Sequence, residues 1–131
     1  MVPRHLMDIV REAKTIAVVG VSPKKGRASL RIYRFLKERG YRVFPVNPNY
    51  GEIDGDVTYP TLLCIEEDVD VADIFRNREK VVPIVEDAIK KGVKLIWLQE
   101  GVVNDQAARL AREAGIPLVM DRCIYKELMA L

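Results

Sequence analysis

Thr15-Ile-Ala-Val-Val-Gly20-Val-Ser-Pro-Lys-Lys25-Gly-Arg-Ala-Ser29 is the stretch that decides the fold. Ile16 to Val19 is a wholly apolar run, as expected of a strand buried on both faces of a parallel sheet. It stops at Gly20, and a short cationic loop leads through Gly26 into residues with helical spacing. A strand, a glycine turn and a helix in that order aim backbone N–H groups and a positive helix end at a phosphate.

The pattern continues outward from this segment. Leu6, Ile9, Val10 and Ala13 predict a helix before it. Ala28, Ile32, Phe35 and Leu36 predict one after it, ending at Gly40 before an apolar strand over 41–46. Val82, Val85, Ala88 and Ile89 form a third helical stripe, closed by Gly92 before a strand over 94–98. Ala107, Leu110, Ala111 and Ala114 form a fourth, closed by Gly115 before a strand over 116–120. Each of these glycines is placed to end a helix in the left-handed conformation. Residues 69–75 predict a further strand, and a last helix is expected from about Cys123 onward. Residues 47–67 are less regular, with room for a short extra strand or turn. The expected fold is α/β: a Rossmann-like, doubly wound, mainly parallel sheet of about five strands with helices on both faces.

Composition narrows the function classes. The chain has 131 residues, read as one domain over 1–131, and 49% of them are hydrophobic. Lys plus Arg number 21 against 19 Asp plus Glu, a net charge of +2, too balanced for a nucleic-acid binder. No apolar run approaches the ~20 residues that span a bilayer. Charged residues throughout the first helix argue against a signal peptide, so a cytoplasmic protein is expected. Cys64 and Cys123 form no CxxC and are too few soft ligands for a zinc site, and no metal is expected.

Ligands of open α/β sheets sit beyond the carboxyl ends of the strands. There the first loop fits neither phosphate fingerprint. GxGxxG would need glycine at positions occupied by Ser22 and Lys25, and a P-loop would need Lys where Arg27 follows Gly26. The second strand ends in Pro45-Val-Asn47-Pro48-Asn49, without the acid that holds the ribose of NAD. Lys24, Lys25, Arg27, Arg76 and Arg78 near these ends suit a ligand with more phosphate than a dinucleotide.

Val-Gly-Val-Ser-Pro near the start, Gly40 to Pro48, Val69 to Arg76, Trp97-Leu-Gln and Val119 to Cys123 follow one another in a familiar order. The chain resembles the small stand-alone CoA-binding domain proteins of the YccU type. These are similar to the CoA-binding domain of the succinyl-CoA synthetase α subunit, and the resemblance covers about residues 5–130. It implies a coenzyme A ligand, whose extra 3′-phosphate agrees with the cations. It also implies that Gly20, Val21, Ser22, Lys25 and Gly26 approach the pyrophosphate, supported by Arg27 and Ser29. Asn47 and Pro48 would border the adenosine, with Phe75 and Arg76 across the cleft. One departure stands out: the synthetases have glycine where this chain has Pro23.

Catalysis is not expected. The only histidine, His5, lies in the first helix, while the synthetases phosphorylate a histidine of another domain. Tyr33 and Lys37 share the spacing of a dehydrogenase pair but sit on the helix after the phosphate loop, as ordinary helix positions. Glu66 to Asp68 read as a solvated connection, and Asp70 as the amino end of its strand. Trp97 reads as core, and Cys123 as core or as a thiol beside the pantetheine path, able to form a mixed disulfide with CoA. The resulting expectation is a non-catalytic CoA- or acyl-CoA-binding module: a carrier, sensor or regulator. A subunit of a multi-chain acyl-CoA ligase with a partner chain, or an NADP-binding redox sensor, are the alternatives.

Overall fold

A computed structural model describes residues 2–131. The order is α1 (Arg4–Glu12), β1 (Thr15–Val19), α2 (Ala28–Glu38), β2 (Arg42–Val46), β3 (Glu52–Ile53), β4 (Asp56–Val57), β5 (Val71–Ile74), α3 (Val81–Lys91), β6 (Leu95–Leu98), α4 (Asp105–Glu113), β7 (Leu118–Val119) and α5 (Ile124–Met129). Single 3-10 turns occupy Leu62–Cys64 and Arg78–Lys80. β2, β1, β5, β6 and β7 form one parallel sheet in that spatial order. The expected α/β, Rossmann-like sheet of five strands is therefore the fold.

Side chains alternate across the sheet, and each face has its own core. Ile16, Val18, Val71, Leu95 and Trp97 point to one side, where α1, α2 and α5 cover them through residues such as Val10, Leu36 and Ile124. Ala17, Ile74, Ile96 and Leu98 point to the other, under α3 and α4 through Val85, Ala88, Ala107 and Ala111. Trp97 is wholly buried, and its indole N–H donates to the Arg122 carbonyl at 2.8 Å.

Gly40, Gly92 and Gly115 all have φ between 75° and 95°, so each helix ends in the left-handed turn expected of it. At the amino end of the sheet, Asp70 accepts from the N–H groups of Lys14 (2.8 Å) and Thr15 (3.3 Å) and pairs with Lys94. Partial burial pushes its carboxyl up, but these donors outweigh that and hold it below the usual range.

The irregular stretch resolves into an antiparallel hairpin, β3–β4, followed by the 3-10 turn. Arg34 grips Asp54 with two guanidinium N–H donors, at 2.7 and 2.9 Å. The Tyr33 hydroxyl donates to Asp56, which Lys37 also contacts. Tyr33 and Lys37 thus anchor the hairpin to α2. β7 is shorter than the 116–120 reading, its approach marked by Pro117, which has no N–H to give a ladder.

Candidate functional site

The strand order reverses between β1 and β5. The chain leaves β1 through α2 on one face and β5 through α3 on the other, which opens a crevice at their carboxyl ends. The two loops meet at Gly20. It has φ +88°, and a Cβ there would lie 2.5 Å from the Phe75 carbonyl oxygen and 2.9 Å from Cδ of Arg76. Glycine is required twice over: for its left-handed backbone and for the closeness of the facing strand end.

Behind Gly20, hydrogen bonds set the path of the first loop. The Ser22 N–H donates to the Ser29 hydroxyl at 3.1 Å, which ties the loop to the first turn of α2. The buried Asn47 amide donates to the Val21 carbonyl at 2.9 Å, and its oxygen accepts from the N–H of Asn49 at 2.9 Å. Val21 is itself fully buried. Asn47 therefore clamps the end of β2 to the loop after β1.

In front of Gly20 lies a polar cleft of about 260 Å³. Ser22, Lys24 and Arg27 line it from the first loop, Asn47, Asn49 and Tyr50 from the end of β2. Phe75, Arg76, Asn77 and Lys80 close it from the end of β5. An apolar groove of about 220 Å³ adjoins it, sharing Gly20, Arg76 and Lys80. Val19, Val46, Pro48, Pro60, Leu62 and Ile84 form much of its wall. Among the described residues, Lys24, Arg27, Arg76 and Lys80 enter no ion pair, so four unpaired cations border the crevice, with the carboxylate of Asp87 in the lining of the adjoining groove. A polar, cationic chamber beside an apolar one can hold a phosphorylated group next to a flat ring or an aliphatic segment.

Of the residues singled out in the sequence, Gly20, Ser22, Arg27, Asn47, Phe75 and Arg76 line the polar cleft, and Pro48 lines the apolar groove. Val21 and Ser29 lie behind the loop as supports. Lys25 and Gly26 are exposed and line neither chamber. Of the five cations read from the sequence, Lys24, Arg27 and Arg76 line the cleft and Lys25 and Arg78 do not, while Asn49, Tyr50, Asn77 and Lys80 are further lining residues that the sequence argument did not put in the site. Lys80 sits on the 3-10 turn, whose position depends on how β5 hands over to α3.

Cys123 is 8% exposed and packs in the core face of α2 and α5. It lines a separate hollow with Ala28, Arg31, Ile32, Glu100 and Lys126 that shares no residue with the cleft. Gln99, at the end of β6, accepts from the N–H of Ile124 at 3.1 Å and so orients the start of α5. His5 lies on α1 beside a groove at the β7 edge. Among the described residues, no group of three or more His, Cys, Asp or Glu is gathered as metal ligands, and no helix is long and apolar enough to cross a membrane.

The YneT protein of Bacillus subtilis is 31% identical over 120 residues, 92% of this chain and 89% of its own length. The α subunit of an ADP-forming acetate–CoA ligase from Pyrococcus furiosus is 35% identical over 129 residues, 86% of this chain but 28% of the subunit. A solved hypothetical protein from Pyrococcus horikoshii superposes with a TM-score of 0.95 at 38% identity, over 100% of this chain and 92% of that one. An acetyl-coenzyme A synthetase from Ca. Korarchaeum cryptofilum superposes with a TM-score of 0.74 at 30% identity, over 82% of this chain and 26% of that one. The family model described as "CoA binding domain" matches residues 14–129. The chain belongs to that CoA binding domain family.

Proposed function

We propose that the protein binds coenzyme A, or an acyl-CoA, in the crevice at the carboxyl ends of β1 and β5 and performs no chemistry on it. The observation that carries this reading is the set of four unpaired cations, Lys24, Arg27, Arg76 and Lys80, around the polar cleft. Membership of the CoA binding domain family supports the same ligand. In this reading Gly20 and Ser22 let the pyrophosphate approach the loop, with Arg27 and the start of α2 adding positive charge. Arg76 and Lys80, which border both chambers, serve the phosphates, and Pro48 with the apolar wall receives the adenine ring. Ser29, Val21 and Asn47 hold the loop in shape. Lys25 and Gly26 contribute flank charge and a left-handed turn, since Gly26 has φ +83°.

Such a module would act as a carrier, sensor or regulator of acyl-CoA metabolism as a single domain. A second reading, a CoA-binding subunit of a multi-chain acyl-CoA ligase, draws on the likeness to the Pyrococcus furiosus α subunit. Co-purification with an ATP-grasp chain favours that second reading. Calorimetric titration with CoA, dephospho-CoA, NAD and NADP tests the first. Tighter binding of CoA than of the others supports it, and tighter binding of NADP favours a redox sensor instead.

A further inference from the structure

We infer that the edge of the sheet at β7 is an interface between two copies of this chain, with α4 packed antiparallel against α4 of the second copy. The two edges of the sheet differ. At the β2 edge, Tyr59 lies alongside, donating to the Pro45 carbonyl and accepting from the N–H of Asn47, each at 2.9 Å. No described strand or loop pairs with β7 on its outer side. Instead a broad groove of about 770 Å³ runs there between α1 and α4. Its floor is apolar and half-buried: Leu6, Ile116, Leu118 and Met120.

The wall of the groove on α4 identifies the occupant. Asp105, Ala108 and Arg112 line it, at i, i+3 and i+7, one stripe down the helix. Asp105 and Arg112 make no ion pair within the described residues, and both are exposed. This stripe is complementary to itself. When a second α4 crosses antiparallel beside Ala108, a two-fold axis sets Asp105 of each copy against Arg112 of the other. The small Ala108 side chain lets the helices approach closely. Residue i meeting j while j meets i is the signature of an isologous contact. Pro117 blunts the strand edge, so helices and the apolar floor hold the pair rather than a continuous β ladder.

Light scattering and sedimentation equilibrium on the full chain read this directly. The wild type is expected to dimerise. Asp105→Arg and Arg112→Asp are each expected to weaken the dimer by about tenfold, because each turns two attractions into two repulsions. The double swap restores it, since the pairing is recreated with signs exchanged. Ala108→Glu, which blocks close approach, is expected to leave monomer whose circular dichroism matches the wild type. A wild type that stays monomeric, a dimer indifferent to the single swaps, or a double swap as weak as the singles overturns the inference.

Discussion

The α-carbon of Gly20 sits against the carbonyl of Phe75 with no room for a Cβ, which would lie 2.5 Å from that oxygen. This contact joins the ends of β1 and β5, and the crevice exists because the two loops can approach so closely. Gly20→Ala is therefore expected to lose about 2–4 kcal/mol of stability, from the left-handed backbone and the clash together. Urea unfolding measures it. A loss within about 0.5 kcal/mol, the range of ordinary surface changes, contradicts the reading.

Asn47 holds the first loop through Val21 and the next turn through Asn49. Asn47→Ala leaves the Val21 carbonyl without its partner, at an expected cost of about 1–3 kcal/mol. CoA affinity is expected to fall with it, because the loop loses its clamp. Asn47→Ala with full stability and full affinity counts against the clamp.

The central strand carries a carboxyl with no hydrogen-bond partner. Asp73 is fully buried between Val18 and Trp97, and both of its oxygens are unsatisfied. Burial pushes its acid well above the ordinary value of 3.8. The folded state therefore keeps a proton that the unfolded chain releases, and stability declines as pH rises above about 4 toward the folded value. Asp73→Asn removes that titration. The variant's advantage over wild type is expected to grow with pH by at most about 1.4 kcal/mol per unit. Asp70 acts in the opposite sense: its carboxyl is held low, so its contribution is present above its ordinary 3.8 and is lost in acid. Unfolding free energies from pH 3 to 8 check both limbs. A wild type and Asp73→Asn pair that stay parallel across pH contradicts the assignment.

Local signals explain why so much of the architecture was legible. The apolar run at 16–19 and the glycines at 40, 92 and 115 act through backbone rules that need no distant partner. The hairpin at β3–β4 was legible only as room for a short strand or turn, because it is held by Tyr33, Arg34 and Lys37 from α2. The crevice divides in the same way. Gly20, Ser22 and Arg27 belong to the loop the sequence singles out, whereas Tyr50 and Lys80 reach it only through the turns after β2 and β5. Lys25 and Gly26, though central to the motif, are exposed and line neither chamber, because spacing along a loop does not tell which of its residues border the crevice. Asp73 carries no sequence mark of its own burial beyond its place in an apolar strand.

Arg76 borders both chambers, and its aliphatic stem lies against Gly20. Arg76→Ala is expected to weaken CoA binding by about 1–3 kcal/mol through loss of a charge-assisted phosphate contact. Calorimetry on the variant reads it, and unchanged affinity places Arg76 outside the site.

The most direct test of the account is a calorimetric titration of the wild-type protein with CoA beside dephospho-CoA. Saturable CoA binding that weakens on removal of the 3′-phosphate is the predicted result. No binding of CoA, or equal affinity for the two ligands, would contradict the claim that the cations around Gly20 and Phe75 grip this cofactor.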